Sequence, residues 1–225
     1  MKLKSLLSLV GICLVFTTLN CTPRDRVADV KYDFADSQVP NRNLGRNISV
    51  AIAKIPDRRN PSEGGMKMIG TVYDGYKNVI KRIYSEKTVD LDVSDAFGNL
   101  LSANGFQVMK YPHVRNCEEL LDERLCVKGT INRFWTESFT TVGAAVDIDA
   151  EIYDSKLDAI IWIGKIEGFR KKGIGGAYFT NTDKMVSLLN EVFSEAMNNA
   201  WTKQGVREAL ERWKREEKRD LSSGQ

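Results

Sequence analysis

Hydrophobic and polar positions alternate with different periods along the chain, and each period predicts an element. The run NISVAIAKI at 47–55 is apolar on both faces of an alternating pattern, which is typical of a central strand. The run LDVSDAFGNLLSANG at 91–105 has a helical stripe of apolar residues and ends at Gly105, a common helix stop. Because FQVMKY at 106–111 follows at once, the strands on either side of this helix are predicted to be parallel and joined by a right-handed crossover.

The second half of the chain carries the clearest patterns. The runs CVKGTINRFW, AVDIDAEIYD and AIIWIGKIEG predict three strands, and TDKMVSLLNEVFSEAMNNAW has the apolar spacing of a helix. Earlier, MIGTVYDGYKNVIKRIYSEKTV contains two β-prone runs around Asp74 and Gly75, which predict a hairpin or an extended excursion. We therefore predict an α+β fold. It consists of a mostly antiparallel sheet of about five strands, with two or three helices packed on one face.

The N-terminus has the pattern of an export signal. Lys2 and Lys4 precede the apolar run LLSLVGICLVF, and the charge-free segment ends in VFTTLNCTP. The residues before Cys21 resemble a relaxed bacterial lipobox with Leu19 two positions before the cysteine, so residues 1–20 are predicted to be removed and Cys21 to be acylated. One alternative is an ordinary signal peptide cut nearby, with Cys21 as a disulfide partner. The other is a spanning helix, which the polar last third of the segment disfavours.

The mature chain is predicted to have three parts. Residues 21–46 mix charges with proline and asparagine and have no apolar period, so they are predicted to be a lipidated tether that reaches roughly 25–30 Å. Residues 47–203 form the predicted α/β domain. Residues 204–225 are predicted to be a charged C-terminal helix.

The C-terminal helix offers a candidate contact for a partner. Its apolar residues Val206, Leu210 and Trp213 form a narrow stripe, and Gly205 separates the helix from the one before it. Large aromatic side chains often dominate binding energy, so an exposed Trp213 would suit a partner contact. The alternative is that the stripe folds back onto the domain.

Two cysteines remain in the mature chain after Cys21. An oxidising envelope would allow Cys117 and Cys126 to form a disulfide. An unbroken helix over the residues between them would hold their Cα atoms about 13 Å apart, beyond the roughly 7 Å limit for a disulfide. The bridge therefore requires a short or broken helix and is left open. These two cysteines and the single His113 cannot supply four zinc ligands, and no cofactor or metal is predicted.

Net charge excludes one class of partner. Removal of Lys2 and Lys4 leaves 31 basic residues against 30 acidic ones. Nucleic-acid binding proteins carry a strong basic excess, so no nucleic acid is predicted as a partner.

The run KKGIGGAY at 171–178 is glycine-rich. Tyr178 stands where a dinucleotide fingerprint needs its third glycine, so the run is predicted to be a loop between a strand and a helix. Its alternative role is a contact with a partner or a lipid headgroup, in which the basic residues 170–172 lie beside Tyr178 and Phe179.

Other chemistry-bearing residues give weak signals. Asp147, Asp149 and Glu151 lie on the polar face of one predicted strand at intervals of about 7 Å, which favours a solvated face over a metal site. His113 lies in a loop with no evident nucleophile to serve, so no catalytic role is predicted for it.

The order of elements resembles a known family. The runs SVAIAKI, IGTVYDGYKNV, VSDAFGNLLSANGFQV, CVKGTINRFW, VDIDAEIYD and NEVFSEAMNNAW together resemble the YajG-type bacterial envelope lipoproteins over roughly residues 47–201. More distantly, they are similar to auxiliary lipoproteins of lipid-transport ABC systems. The resemblance implies that Cys21 is the lipidated cysteine and that the domain binds or scaffolds, and it implies no agreed activity.

The sequence is compatible with two functions. The favoured one is a non-enzymatic envelope protein, anchored in the membrane by its N-terminal lipid, that binds an envelope protein or a lipid. It would lie in the bacterial cell envelope, in the outer membrane in preference to the inner, with its domain in the periplasm or at the cell surface. The alternative is an anchored hydrolase whose carboxylates, such as Asp147 and Glu167, meet across the sheet.

Overall fold

A computed structural model describes residues 25–33, 41–59, 65–120, 122–173 and 181–223. Within these ranges eight strands form: β1 (Arg26–Ala28), β2 (Ser49–Ala53), β3 (Met68–Tyr73), β4 (Val79–Ser85), β5 (Gln107–Tyr111), β6 (Leu125–Ser138), β7 (Thr141–Asp154) and β8 (Ala159–Gly173). Three α-helices are described: α1 (Val89–Ala103), α2 (Thr182–Thr202) and α3 (Val206–Ser223). One short 3-10 helix covers Cys117–Glu119.

All eight strands belong to one mixed sheet organised around β6. One side of β6 pairs in parallel with two strands, β2 near its beginning and β3 at its end. The sheet continues in parallel from β2 to β5; from β3 it continues to β4, which is antiparallel, and then to β1. The other side of β6 pairs antiparallel with β7, and β7 with β8. Strand β8 is therefore an edge strand, and no described strand pairs with its outer side.

The three helices cover the same face of the sheet and share one core with it. Side chains of α1, α2 and β8 meet there, as Leu100, Met197 and Ile166 line one small apolar void. Helix α2 lies close to β8, because a Cβ at Gly168 would come within 2.9 Å of Val192. Burial of this common surface gives the sheet and the helices a single hydrophobic core.

The alternation of β7 is confirmed. Ile148 points into the core and is fully buried, whereas the side chain of Asp149 is 51% exposed on the opposite face. The prediction of β2 as a central strand is also confirmed, because it lies between β5 and β6 and is buried on both faces. The predicted parallel pairing of β2 and β5 is present in the register Val50 opposite Val108.

The α+β class is confirmed, but the sheet is larger and less antiparallel than predicted. It has eight strands instead of about five, and four of its seven strand pairings are parallel. Strand β6 is 14 residues long, so β2 and β3 can both pair with one of its sides. The sequence patterns of separate short strands do not reveal this sharing, because the pairings join distant parts of the chain.

Two described parts of the predicted tether 21–46 contact the domain. Residues Arg26–Ala28 form β1 in parallel with β4, and Leu44 is buried in the core. Lys214 of α3 donates hydrogen bonds to the backbone oxygen atoms of Asn43 and Leu44. The described parts of the predicted tether are therefore packed against the domain.

Candidate functional site

The segment after the predicted lipidation site lies along α2. Cys21 is outside the described residues, and the described chain begins at Asp25. Arg26 forms an ion pair with Asp183 in the first turn of α2. Strand β1 then adds to the edge of the sheet beside β4, with Arg26 opposite Ile83.

Three polar residues of α2 hold the chain that follows β1. Asn190, Ser194 and Asn198 are spaced by four residues and so share one face of the helix. The Lys31 amide donates to Asn190 Oδ1 at 3.2 Å, and the Asp33 amide donates to Ser194 Oγ at 2.9 Å.

Tyr32 lies between these two amides and adds a third contact with α2. Its hydroxyl donates to Asn198 Oδ1 at 2.9 Å. Its ring meets Phe193 edge-on with the centroids 6.2 Å apart, and burial raises the pKa of the Tyr32 hydroxyl. We call the three side chains Asn190, Ser194 and Asn198 the α2 ladder.

An open polar groove of about 1080 Å³ runs between this segment and α2. Its lining is charged, with Lys31 and Asp33 on one side and the two glutamates Glu191 and Glu195 on the other. Its polar lining distinguishes it from the mostly apolar pockets that bind drug-sized ligands.

The structure joins Cys117 and Cys126 by a disulfide with a Cα–Cα distance of 5.7 Å. The helical segment after Cys117 is a single 3-10 turn, so the chain can return to β6 within that distance. Together with Leu120, the bridge covers a small apolar cluster on the side of the sheet opposite the helices. His113 lies exposed in the same connection and joins none of the ion pairs in the described part of the chain.

The apolar stripe of α3 is folded back onto the domain. Val206, Leu210 and Trp213 are 6%, 0% and 6% exposed. The Trp213 indole donates to Asp154 Oδ2 at 2.6 Å, and the Arg124 guanidinium lies 5.2 Å from the Trp213 ring. This burial corrects the assignment of the stripe as an exposed partner contact.

The face of β6, β7 and β8 that points away from the helices carries rows of charged side chains. Lys165 Nζ lies 3.5 Å from Asp147 Oδ1 and 3.6 Å from Asp149 Oδ1, and these carboxylates raise the pKa of the Lys165 ammonium. Glu151 pairs with Lys128 at 2.6 Å. The acidic row is thus matched by lysines on the neighbouring strands.

Asp147 and Glu167, the carboxylates of the hydrolase alternative, are opposite each other across β7 and β8. They border a depression of about 440 Å³ on the sheet surface that Arg133 and Phe169 also line. The side chain of Asp147 is 33% exposed and lies beside Lys165. The pair thus faces solvent on a sheet surface and is accompanied by cations, instead of lying in a closed cleft.

Two of the basic residues near the glycine-rich run, Arg170 and Lys172, are paired within the domain. Arg170 contacts Glu191 at 2.9 Å and Glu195 at 2.5 Å, and Lys172 contacts Glu191 at 3.4 Å. Tyr178 and Phe179 lie outside the described residues. These ion pairs connect the end of β8 to α2.

Within the described ranges, no group of three or more histidine, cysteine, aspartate or glutamate side chains has a metal-binding arrangement. None of the helices there is both long enough and apolar enough to cross a membrane.

Comparisons with known proteins find similarity in fold but not in sequence. No family model matches the chain, and no curated protein matches its sequence. Among solved structures, the fold is similar to that of a Xanthomonas campestris protein of family DUF330, with a TM-score of 0.50 and 10% identity over 78% of this chain and 94% of that chain. At this identity the similarity concerns the fold alone.

Two further structures have lower scores. Lipoprotein GNA1162 from Neisseria meningitidis has a TM-score of 0.39 and 14% identity, over 67% of this chain and 99% of that chain. A PelC dodecamer protein from Paraburkholderia phytofirmans has a TM-score of 0.41 and 13% identity, over 72% of this chain and 93% of that chain.

The sequence patterns did not predict the α2 ladder or the residues 25–33 that dock beside it, which we call the β1 segment. The available signal was the spacing of Asn190, Ser194 and Asn198 by four residues, which places three uncharged polar side chains on one face of the helix. Such a polar stripe predicts a contact, but the residues that it contacts are about 160 positions away in sequence.

Proposed function

We propose that the protein is a non-enzymatic, lipid-anchored protein of the bacterial cell envelope that acts as a binding or scaffold module for a protein or a lipid. The observation that supports it is the docking of residues 25–33 on the domain, directly after the predicted acylation site. An anchor attached there would hold the body close to the membrane.

The length of chain between the anchor and the body can be bounded. Asp25 is four positions after Cys21, so the two Cα atoms can be at most about 14 Å apart. The predicted tether would have allowed roughly twice that distance. The body would then work within contact range of lipid headgroups and of other proteins at the membrane surface.

The sheet surface that carries Asp147 and Glu167 favours binding over catalysis. An active site usually excludes water from the reacting groups, whereas these carboxylates border an open depression on the sheet surface, and Lys165 lies beside Asp147. Exposed apolar side chains on the same surface, Ile163 and Phe169, are suited to contact with a macromolecule.

The proposal extends to the family of the protein and to the membrane that holds its anchor. The resemblance to YajG-type lipoproteins agrees with the position of Cys21 before the folded body. Location in the outer membrane, in preference to the inner, is proposed with it.

The anchor is tested by Cys21→Ala. We expect this variant to move from the membrane fraction to the soluble fraction, and the N-terminal peptide of the wild-type protein to carry acyl chains by mass spectrometry. Cys13→Ala is the matched control, because Cys13 lies within the predicted signal and should leave membrane attachment unchanged. A Cys21→Ala protein that stays in the membrane fraction, or a wild-type N-terminus without acyl chains, would contradict the proposal.

A further inference from the structure

The outer side of β8 is an open edge of the sheet. The strand has 15 residues, a length of roughly 50 Å, and within the described ranges it pairs only with β7. A long open edge presents unpaired backbone groups to which another strand can add, so proteins usually protect it.

The side chains on the surface beside this edge include large exposed apolar residues as well as charges. Ile163 and Phe169 are 68% and 69% exposed, and Lys165 and Glu167 lie between them. All four point away from the helices, because they are opposite Glu151, Asp149, Asp147 and Ala145 of β7. The pattern along this face is therefore apolar, positive, negative, apolar.

This pattern is complementary to itself when it is reversed. If a two-fold axis passes beside Ile166, an antiparallel copy of β8 places Lys165 opposite Glu167 of the second copy. The same register places Ile163 opposite Phe169 of the second copy. Opposite charges and apolar–aromatic pairs directly across two strands each stabilise a sheet.

The helix side of β8 leaves room for this register. The residues on either side of Ile166 that face the helices are Gly164 and Gly168, which carry no side chain of their own. The Trp162 ring covers Gly164, and Val192 of α2 packs over Gly168. A notch of about 310 Å³ lies beside Gly168, between β8 and Glu195 and Asn199 of α2. The edge thus has open space on its helix side next to Gly168.

We propose that two copies of this chain associate through β8, which pairs antiparallel with β8 of the second copy and is centred on Ile166. A lysine in an edge strand normally opposes pairing, because its charge would be placed against apolar residues or another cation. Here Lys165 meets a carboxylate of the second copy, so the charge specifies the register. The proposal does not depend on the lipid anchor.

The test reverses one charge and then restores the complementarity. Wild-type protein, purified from cells in density-matched detergent if it is membrane-bound, is expected to sediment at equilibrium with twice the mass of the chain. Glu167→Lys places lysines against each other twice across the two-fold axis, and we expect the dimer Kd to rise more than about 100-fold. Adding Lys165→Glu to this variant re-creates the ion pairs in reverse and should restore the dimer.

Two further variants, together with melting temperatures, distinguish a loss of dimerisation from a loss of folding. Lys165→Glu brings a carboxylate near Asp147 and Asp149, so the melting temperature of each variant is measured beside its mass. Phe169→Asp should also abolish the dimer. Tyr76→Asp should not, because Tyr76 is 90% exposed in the turn between β3 and β4.

Chemical cross-linking tests whether the two copies are in contact at the proposed register. A carbodiimide joins amine and carboxylate groups that are in contact, and a mixture of copies labelled with nitrogen-14 and nitrogen-15 distinguishes links between copies from links within one. We expect mixed-isotope peptides that join Lys165 to Glu167. A monomeric wild-type protein at 100 µM or more, a folded Glu167→Lys variant that remains dimeric, or a dimer without this link would each overturn the proposal.

Discussion

Two buried aspartates are accommodated in opposite ways. Asp154 is fully buried and accepts hydrogen bonds from the Trp213 indole and from two backbone amides, and Arg124 pairs with it at 2.9 Å. Asp92 is 8% exposed and has one near donor, the Ser85 hydroxyl at 2.5 Å. Burial raises the pKa of Asp92 to about 6. The first carboxylate therefore connects elements, whereas the second opposes folding when it is charged.

Asp92→Asn is predicted to stabilise the protein at neutral pH. The pKa of Asp92 is raised from 3.8 in the unfolded chain to about 6 in the folded one, so its charge destabilises the fold progressively as the pH rises from 4 to 6. The gain above pH 6 is at most about 3 kcal/mol and should vanish near pH 4. Urea unfolding at pH 4 and pH 7.5 measures this change in the free energy of unfolding, with Asp149→Asn as the control at an exposed position. An equal effect at both pH values would show that the charge of Asp92 is not responsible.

Asp154→Ala is predicted to lower the free energy of unfolding by about 3–5 kcal/mol. The substitution leaves the Arg124 guanidinium, whose side chain is 13% exposed, without its buried carboxylate, and removes the acceptor of the Trp213 indole. Asp149→Ala, on the solvated face of the same strand, should change this energy by less than about 0.5 kcal/mol. Similar denaturant midpoints for the two variants would contradict the structure around Asp154.

At the scale of elements, predictability followed the strength of local periodicity. Strands β6, β7 and β8 and helix α2 could be predicted because each has a long run with one apolar face. Strand β1 could not, because its three residues are stabilised by β4 and by polar groups of α2 far along the chain. The placement of α3 was also beyond prediction, since its stripe fits either an exposed or a packed helix until Asp154 and Trp213 are seen together.

The α2 ladder is predicted to hold the β1 segment without determining global stability. In Asn190→Ala combined with Ser194→Ala, the amides of Lys31 and Asp33 lose their acceptors. Each such hydrogen bond contributes about 1 kcal/mol, so hydrogen exchange at these two amides should become about tenfold faster or more. The melting temperature should change little, and Asn199→Ala is the control on the same helix. Unchanged exchange at both amides would show that the ladder does not hold the segment.

For the whole molecule, the fold class could be predicted from the sequence, whereas the order of the strands in the sheet could not. Apolar faces on strands and helices require a sheet covered by helices, whichever way the strands connect. The order of the sheet depends on two strands sharing one side of β6, a long-range arrangement that no local pattern encodes. The disulfide could likewise not be predicted from the sequence, because its formation depends on how the residues after Cys117 fold.

The antiparallel register proposed for β8 has a consequence for how a pair of anchored copies would lie on a bilayer. Rotation by 180° about an axis normal to the paired sheet reverses the strand direction and therefore points equivalent ends of the two copies in opposite directions. Cys21 of each copy has at most about 14 Å of chain to Asp25. Both acyl groups then enter one leaflet at equal depth only if the two-fold axis stands perpendicular to the bilayer. The strands of such a dimer would run parallel to the membrane plane, with one face of the sheet turned towards the lipid.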